Sequence, residues 1–278
     1  METAASFVRW RVAAGDLLLG SSCHGCGAAA WTLCDDCRRD LVASSARPTW
    51  PTPCPPGFPR TWTAGSYDVL ARALVSAHKE RSALGLTRVL GERLALAVLG
   101  LLTEAGDGDD AGLPNDRTVR RPVVLVPVPS ARRAIRARGF DAGLALARAA
   151  ARRLPDARAA PLLTSARRVA DQSGLDAAGR QANLAGALRL RAHGGFLTAV
   201  RTPVGTSAPV RARLVVVDDV VTSGASLTEA VRALRAGGLP VLGAATVAAT
   251  VRRNTRPRAS DSDVGRTGPG LVDDREEV

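Results

Sequence analysis

The stretch Leu214-Val215-Val216-Val217-Asp218-Asp219-Val220-Val221-Thr222-Ser223-Gly224-Ala225-Ser226 decides the fold. Four consecutive branched apolar residues, Leu214 to Val217, predict a strand buried on both faces, as at the centre of a parallel sheet. Two carboxylates, Asp218 and Asp219, stand where that strand ends. Thr222 to Ser226 is a turn of small residues, and Leu227 to Gly237 carries apolar residues at helical spacing before Gly237-Gly238 stops it. A strand, a small-residue turn and a helix in that order bring backbone N–H groups and a helix N-terminus to the carboxyl edge of a sheet, which suits an anion. The hydroxyls of Thr222, Ser223 and Ser226 add donors, and Gly224 lets the backbone approach a phosphate closely. Paired carboxylates beside such a cradle suit vicinal hydroxyls or a magnesium ion, so a sugar phosphate satisfies both halves.

A receiver domain also places an acidic pair after an apolar strand. There the pair lies near the domain's start, with a phosphoacceptor aspartate downstream. Here the next acids after Asp219 are Glu229 and then Asp261 in a polar tail, which excludes that reading.

At 278 residues the chain has room for one α/β domain and a small attachment. No apolar run reaches the ~20 residues of a membrane span, and the longest apolar helix candidate, Val89 to Leu102, is broken by Glu92 and Arg93. The first residues lack an uninterrupted apolar signal core, so a cytoplasmic protein without membrane insertion is expected. The net charge is +12, and thirteen arginines against two acids lie between Arg117 and Arg168. Charge concentrated in one part of the chain favours a local polyanion site over diffuse basicity. In so arginine-rich a chain Lys79 stands out, being the only lysine.

Cys23-His24-Gly25-Cys26 and Cys34-Asp35-Asp36-Cys37 are two C-x₂-C knuckles seven residues apart. Four thiolates brought together by a short hairpin suit a structural zinc ribbon, closed to water. His24 and Cys54 are spare candidates, His24 as a knuckle residue and Cys54 without a C-x₂-C partner. The Pro-rich run from Pro48 to Pro59 reads as a linker. Thr61 to Tyr67 then predicts a strand, Asp68 to His78 a helix and Leu84 to Leu102 a second helix. Val123 to Pro129 predicts a buried strand with prolines at its exit. A basic turn follows with Arg132, Arg133, Arg136 and Arg138, then a helix over Ala142 to Leu154. Two anion sites on one sheet edge suit a ligand with two phosphate ends. Residues 167–191, with Gln172, Arg180 and Asn183, form a lid or an exposed helix pair. Val241 to Ala249 is a last strand. The expected organisation is a helix and ribbon over 1–47, a linker over 48–60, an α/β domain over 61–253 and a disordered tail over 254–278.

The Asp218 to Ser226 stretch resembles the 5-phosphoribosyl-1-pyrophosphate (PRPP) motif of type I phosphoribosyltransferases. The whole chain, over roughly residues 20 to 250, resembles the ComF family of phosphoribosyltransferase-like proteins. The resemblance rests on Cys23, Cys26, Cys34 and Cys37, on Tyr67 to Lys79, Val126-Pro127-Val128-Pro129 and Arg138-Gly139-Phe140. It continues through Gln172, Arg180 and Asn183 to Asp218-Asp219. It implies a Rossmann-like parallel sheet flanked by helices, with an N-terminal zinc ribbon. It implies that Asp218 and Asp219 are the catalytic acids and hold the ribose, that Thr222, Ser223, Gly224, Ala225 and Ser226 hold the 5′-phosphate, and that Val220 and Val221 belong to the same PRPP-binding stretch. Arg132, Arg133 or Arg138 with Lys79 then meets the pyrophosphate, with Mg2+. The chain departs from the family at Asp141, where Asn is common, at Ser223, where Thr is common, and in lacking a second C-x₂-C pair set.

Two function classes follow. One is transfer of phosphoribose from PRPP to an acceptor with release of pyrophosphate. The other, implied by the family's link to natural competence, is an accessory role in DNA uptake. There the ribbon and the arginine-rich segment grip single-stranded DNA or a helicase-like partner, and PRPP is sensed. The scarcity of aromatic residues weighs against a base-stacking platform.

Overall fold

A computed structural model describes residues 22–106, 121–166, 184–191 and 212–250. The expected N-terminal helix, most of the acidic loop after Thr103, Gln172, Arg180, Asn183 and the tail lie outside the described residues. In chain order the elements are α1 (Asp35–Ala43), β1 (Arg47–Pro48), β2 (Thr61–Thr63), α2 (Val69–Glu80), α3 (Leu86–Ala105) and β3 (Val123–Pro127). Then follow α4 (Arg132–Arg138), α5 (Ala142–Ala151), β4 (Ala157–Ala159), β5 (Leu163–Ser165), β6 (Leu188–Leu190), β7 (Arg213–Val221), α6 (Ala225–Ala236) and β8 (Val241–Ala249).

The main sheet runs β1-β2-β8-β7-β3-β4, parallel throughout except for β1 against β2. Its centre is β7, and the side-chain period of two sends that apolar run to both faces. Val215 and Val217 join Leu125, Ala245 and Val247 under Leu90, Leu94 and Val98 of α3 and Leu146 of α5. Leu214 and Val216 join Val124, Val126 and Ala244 under Leu227, Val231 and Leu234 of α6. Helices on both faces are what a parallel sheet requires, and Leu214 to Val217 of β7 are uninterruptedly apolar for that reason. β5 and β6 form a separate antiparallel hairpin beside α6.

The strand ends are unequal, and this makes the site. β3 pairs with β7 from Val123↔Arg213 to Pro127↔Val217, and Val128 N–H to Val217 O, 3.0 Å, is the closing bond. Pro127 and Pro129 carry no N–H, so the ladder stops there. β7 continues to Val221 beside β8 alone. Asp218 and Asp219 are therefore the first residues of β7 with an open flank.

Three local features differ from the sequence reading. The expected basic turn is the helix α4, because Arg, Ala and Ile favour helix and the first left-handed position, Gly139 at φ 78°, ends it. The Pro-rich run lies against the sheet. Arg47 and Pro48 pair with β2, Thr49 N–H donates to Thr61 O at 2.8 Å, Pro51 and Pro59 are buried, and Phe58 packs on the α6 core. Proline suits an edge strand, which needs no outward donor. Finally, Cys23, Leu33, Cys37 and Leu41 belong to the same buried cluster as Leu74, Leu86 and Leu90, so the knuckles and the sheet share one core.

Candidate active site at the carboxyl edge of the sheet

Asp219 Oδ2 lies 2.9 Å from Lys79 Nζ. Lys79 gets there because Asp68 caps α2, its Oδ1 accepting from Ala71 N–H at 2.8 Å, and the helix runs on until its last turn passes the end of β7. Asp219 Oδ1 accepts from Val220 N–H at 2.8 Å, and Asp218 Oδ1 accepts from Asp219 N–H at 2.9 Å. Burial, reinforced by the charge of Asp219, pushes the Asp218 carboxyl up to about 8 against the opposing pull of Lys79. Burial disfavours the Lys79 ammonium, yet Asp219 and Asp218 outweigh it and hold its pKa above the ordinary value. Near neutral pH Asp218 thus keeps its proton and Lys79 stays an ammonium.

Behind Lys79 the structure separates arginines that the sequence grouped together. Arg138 Nη1 donates to the Lys79 carbonyl at 2.7 Å, and its guanidinium lies 6.0 Å from the centre of the Phe140 ring. Phe140 meets His78 edge-on, centroids 5.6 Å apart at 82°. His78 is buried, its Nε2 3.0 Å from Thr87 Oγ1, and burial lowers its pKa so that the ring is neutral. Arg138 thus braces the turn that presents Lys79, whereas Arg132 and Arg133 lie exposed at the start of α4.

The loop after Asp219 has Thr222 exposed, Ser223 and Ser226 half-buried, and Ala225 buried as the first residue of α6. Gly224 adopts the left-handed region, φ 76° and ψ −5°, and its carbonyl accepts from Thr228 N–H at 2.9 Å. A Cβ there would stand 2.6 Å from Phe58 Cε2 and 3.0 Å from Pro51 Cγ. The back of the loop is therefore walled by the Pro-rich segment, which sequence reasoning missed. The available signal was Phe58 itself, one of four phenylalanines in the chain, set among prolines.

Asp141 accepts from Ser130 Oγ at 3.1 Å and from Leu144 N–H at 3.2 Å, capping α5. Asn and Asp serve equally as helix caps, so Asp141 caps α5 as an Asn would. A second residue that sequence reasoning missed is Glu229. It is buried in α6 and held by Arg232 Nε at 2.7 Å, while Leu188 N–H donates to it at 2.9 Å, fastening the β5–β6 hairpin. Arg232 holds its carboxyl low against the effect of burial.

The sulfurs of Cys23, Cys26, Cys34 and Cys37 all lie within 4.8 Å of one another. Four thiolates around one zinc stand about 3.8 Å apart at a Zn–S length of ~2.3 Å, so the cluster fits a tetrahedral site. Backbone N–H groups point at the sulfurs, Gly25 to Cys23 Sγ at 3.4 Å, Cys34 to Cys23 Sγ at 3.3 Å and Cys37 to Cys34 Sγ at 3.5 Å. Burial opposes ionisation of Cys23, but backbone N–H groups of Cys34, Cys26 and Gly25 bring its thiol down to about 6, whereas burial and the neighbouring sulfurs push the Cys37 thiol up. Cys54 is exposed, and neither it nor His24 belongs to the cluster. None of the helices among the described residues is long and apolar enough to cross a membrane.

Residues 141–268 match the phosphoribosyl transferase domain family. The match begins at the cap of α5, spans β7, the acid pair and the loop to Ser226, and leaves out Lys79, α4 and the cysteines. No curated protein matches the chain. The chain thus carries a phosphoribosyltransferase domain on a mostly parallel sheet, with a four-cysteine cluster at its N-terminal side.

Proposed function

We propose that the protein binds PRPP and transfers its phosphoribosyl group to an acceptor, releasing pyrophosphate. The observation that carries this reading is the Asp219–Lys79 pair at the open flank of β7, directly before a left-handed glycine and a helix N-terminus. In the transfer a bond forms from the acceptor to ribose C1, and the C1–O bond breaks with its electron pair leaving on pyrophosphate. The Asp219 carboxylate accepts from one ribose hydroxyl, and Asp218, protonated at neutral pH, both donates and accepts. Thr222 to Ser226 takes the 5′-phosphate at the α6 N-terminus. Lys79, drawn off Asp219 by the incoming pyrophosphate, stabilises the leaving group, with Arg138 bracing it and Arg132 and Arg133 at the neighbouring β3 exit. Magnesium, whose oxygen-ligand preference the carboxylates and phosphates meet, neutralises pyrophosphate charge when bound. The four cysteines hold a structural zinc. A cytoplasmic location accords with thiolates kept reduced for metal.

Calorimetric titration with PRPP and magnesium, run beside a pyrophosphate-release assay over a panel of nucleobases, tests this. Binding with release supports transfer and identifies the acceptor. Binding without release on any base reduces the reading to a PRPP sensor, and no binding overturns it. The competence reading keeps one observation, the exposed face of α4. It requires salt-dependent affinity for single-stranded DNA that falls when Arg132, Arg133 and Arg136 are neutralised.

A further inference from the structure

Thr246 carries the one polar side chain of β8, and it is fully buried. Its Oγ1 has no hydrogen-bond partner among the described residues. Threonine and valine differ by little except that hydroxyl, and an apolar strand core favours valine, since a buried hydroxyl without a partner is unfavourable. A local rule broken in this way points to a demand from function.

The strand register shows what stands beside it. Val216 pairs with Ala244, and both belong to the core under α6. Two residues further along each strand, Asp218 pairs with Thr246. Side chains two apart share a face, and neighbouring strands lie about 4.8 Å apart, so the hydroxyl and the carboxyl stand side by side on the α6 face. On the other side of Thr246, Thr63 of β2 gives its hydroxyl proton to Gly65 O at 3.0 Å. Asp218 is therefore bounded unequally. β3 has ended on one flank, and Thr246 fills the other. The gap between them is one that rotation of the hydroxyl and of the carboxyl, which turns broadly about χ2, closes.

We propose that Thr246 is a positioning residue: with PRPP bound, its Oγ1 donates to the Asp218 carboxyl from the closed flank and aims that carboxyl at the ribose hydroxyls on the open one. The inference rests on the PRPP reading. Thr246, being fully buried, touches no substrate and acts through Asp218 alone. On the opposite face Lys79 holds Asp219 at 2.9 Å, and Thr246 is the counterpart for Asp218.

The test is calorimetric titration of the full, zinc-loaded chain with PRPP and magnesium, in the unmodified protein and in Thr246→Val, Thr246→Ala and Thr246→Ser, with pyrophosphate as a ligand that lacks the ribose. Thr246→Val is expected to bind PRPP about five- to tenfold more weakly and pyrophosphate as before. Its Tm should be no lower than that of the unmodified chain, because the hydroxyl it loses leaves no partner behind. Thr246→Ser keeps the hydroxyl and should bind PRPP within about twofold of the unmodified protein, whereas Thr246→Ala should be as weak as Thr246→Val. If Thr246→Val does not fold, serine against alanine decides the matter. PRPP affinity that Thr246→Val leaves unchanged, or a loss that Thr246→Ser shares, overturns the inference and leaves the PRPP reading standing. No PRPP binding by the unmodified chain overturns both.

Discussion

Two strands leave the same edge of the sheet side by side, and they meet the ligand region in opposite ways. At the exit of β7 the acids and the glycine are fixed by their contacts: Asp218 accepts from the Asp219 N–H, Asp219 is paired with Lys79, and Gly224 is pressed against Phe58 and Pro51. At the exit of β3 the prolines end the ladder and α4 follows with no buried residue, its Arg132, Arg133 and Arg136 exposed while Arg138 turns to the Lys79 carbonyl. The first exit offers fixed geometry and the second surface charge, screened by salt. A ligand with one phosphate to be seated and one to be released needs both.

That contrast can be broken or sharpened experimentally. The largest effect is expected from Asp218→Asn with Asp219→Asn. Losing the hydrogen bonds of both carboxyl groups weakens PRPP binding about 100-fold or more, as calorimetry would register, while circular dichroism stays unchanged. Retained affinity in a folded double variant would remove the acid pair from the site. Next is Gly224→Ala, which meets both the left-handed backbone and the Phe58 ring. It should lower PRPP affinity about tenfold and reduce Tm, whereas Phe58→Ala combined with it should recover part of both. At the other exit, Arg132→Gln with Arg133→Gln should weaken pyrophosphate binding only about three- to tenfold, by an amount that vanishes in about 0.5 M salt. An effect as large as that of the acid pair, persisting in salt, would show that α4 is as fixed as β7.

The smallest effect concerns pH. The Asp218 carboxyl titrates near 8 in the fold against an ordinary 3.8, so between those values the folded chain holds the extra proton. Stability then falls as pH rises through that window, and it is fully present only below it. Asp218→Asn removes the slope and should raise Tm at about pH 8.5 by at least about 2 °C. Thermal scans from about pH 5 to 9 would show no such fall from this group if Asp218 were already ionised at the acid end.

The sequence made β7, its acid pair and the glycine turn legible because each rests on a local rule: a doubly buried strand is uniformly apolar, and a left-handed position wants glycine. The four cysteines were readable for the same reason, their spacing being the chemistry. What stayed hidden is non-local. Nothing in residues 48–60 says that Phe58 faces Gly224, which is 166 positions away in the chain. Proline there marked irregular backbone and was silent on whether that backbone is packed. The split between Arg138 and Arg132 was equally invisible, since it depends on where α2 ends. Arg93 looked like an interruption of an apolar helix and proved to be a buried tie between α1 and β2.

The pairing of Lys79 with Asp219 has one more consequence. Because the sequence holds no second lysine, a reagent that acylates primary amines finds its one side-chain target at the mouth of the proposed site. Engagement with a carboxylate keeps that amine protonated and slow to react. Its acylation rate, followed by intact mass, becomes a meter of how often the pair opens and of what competes for it.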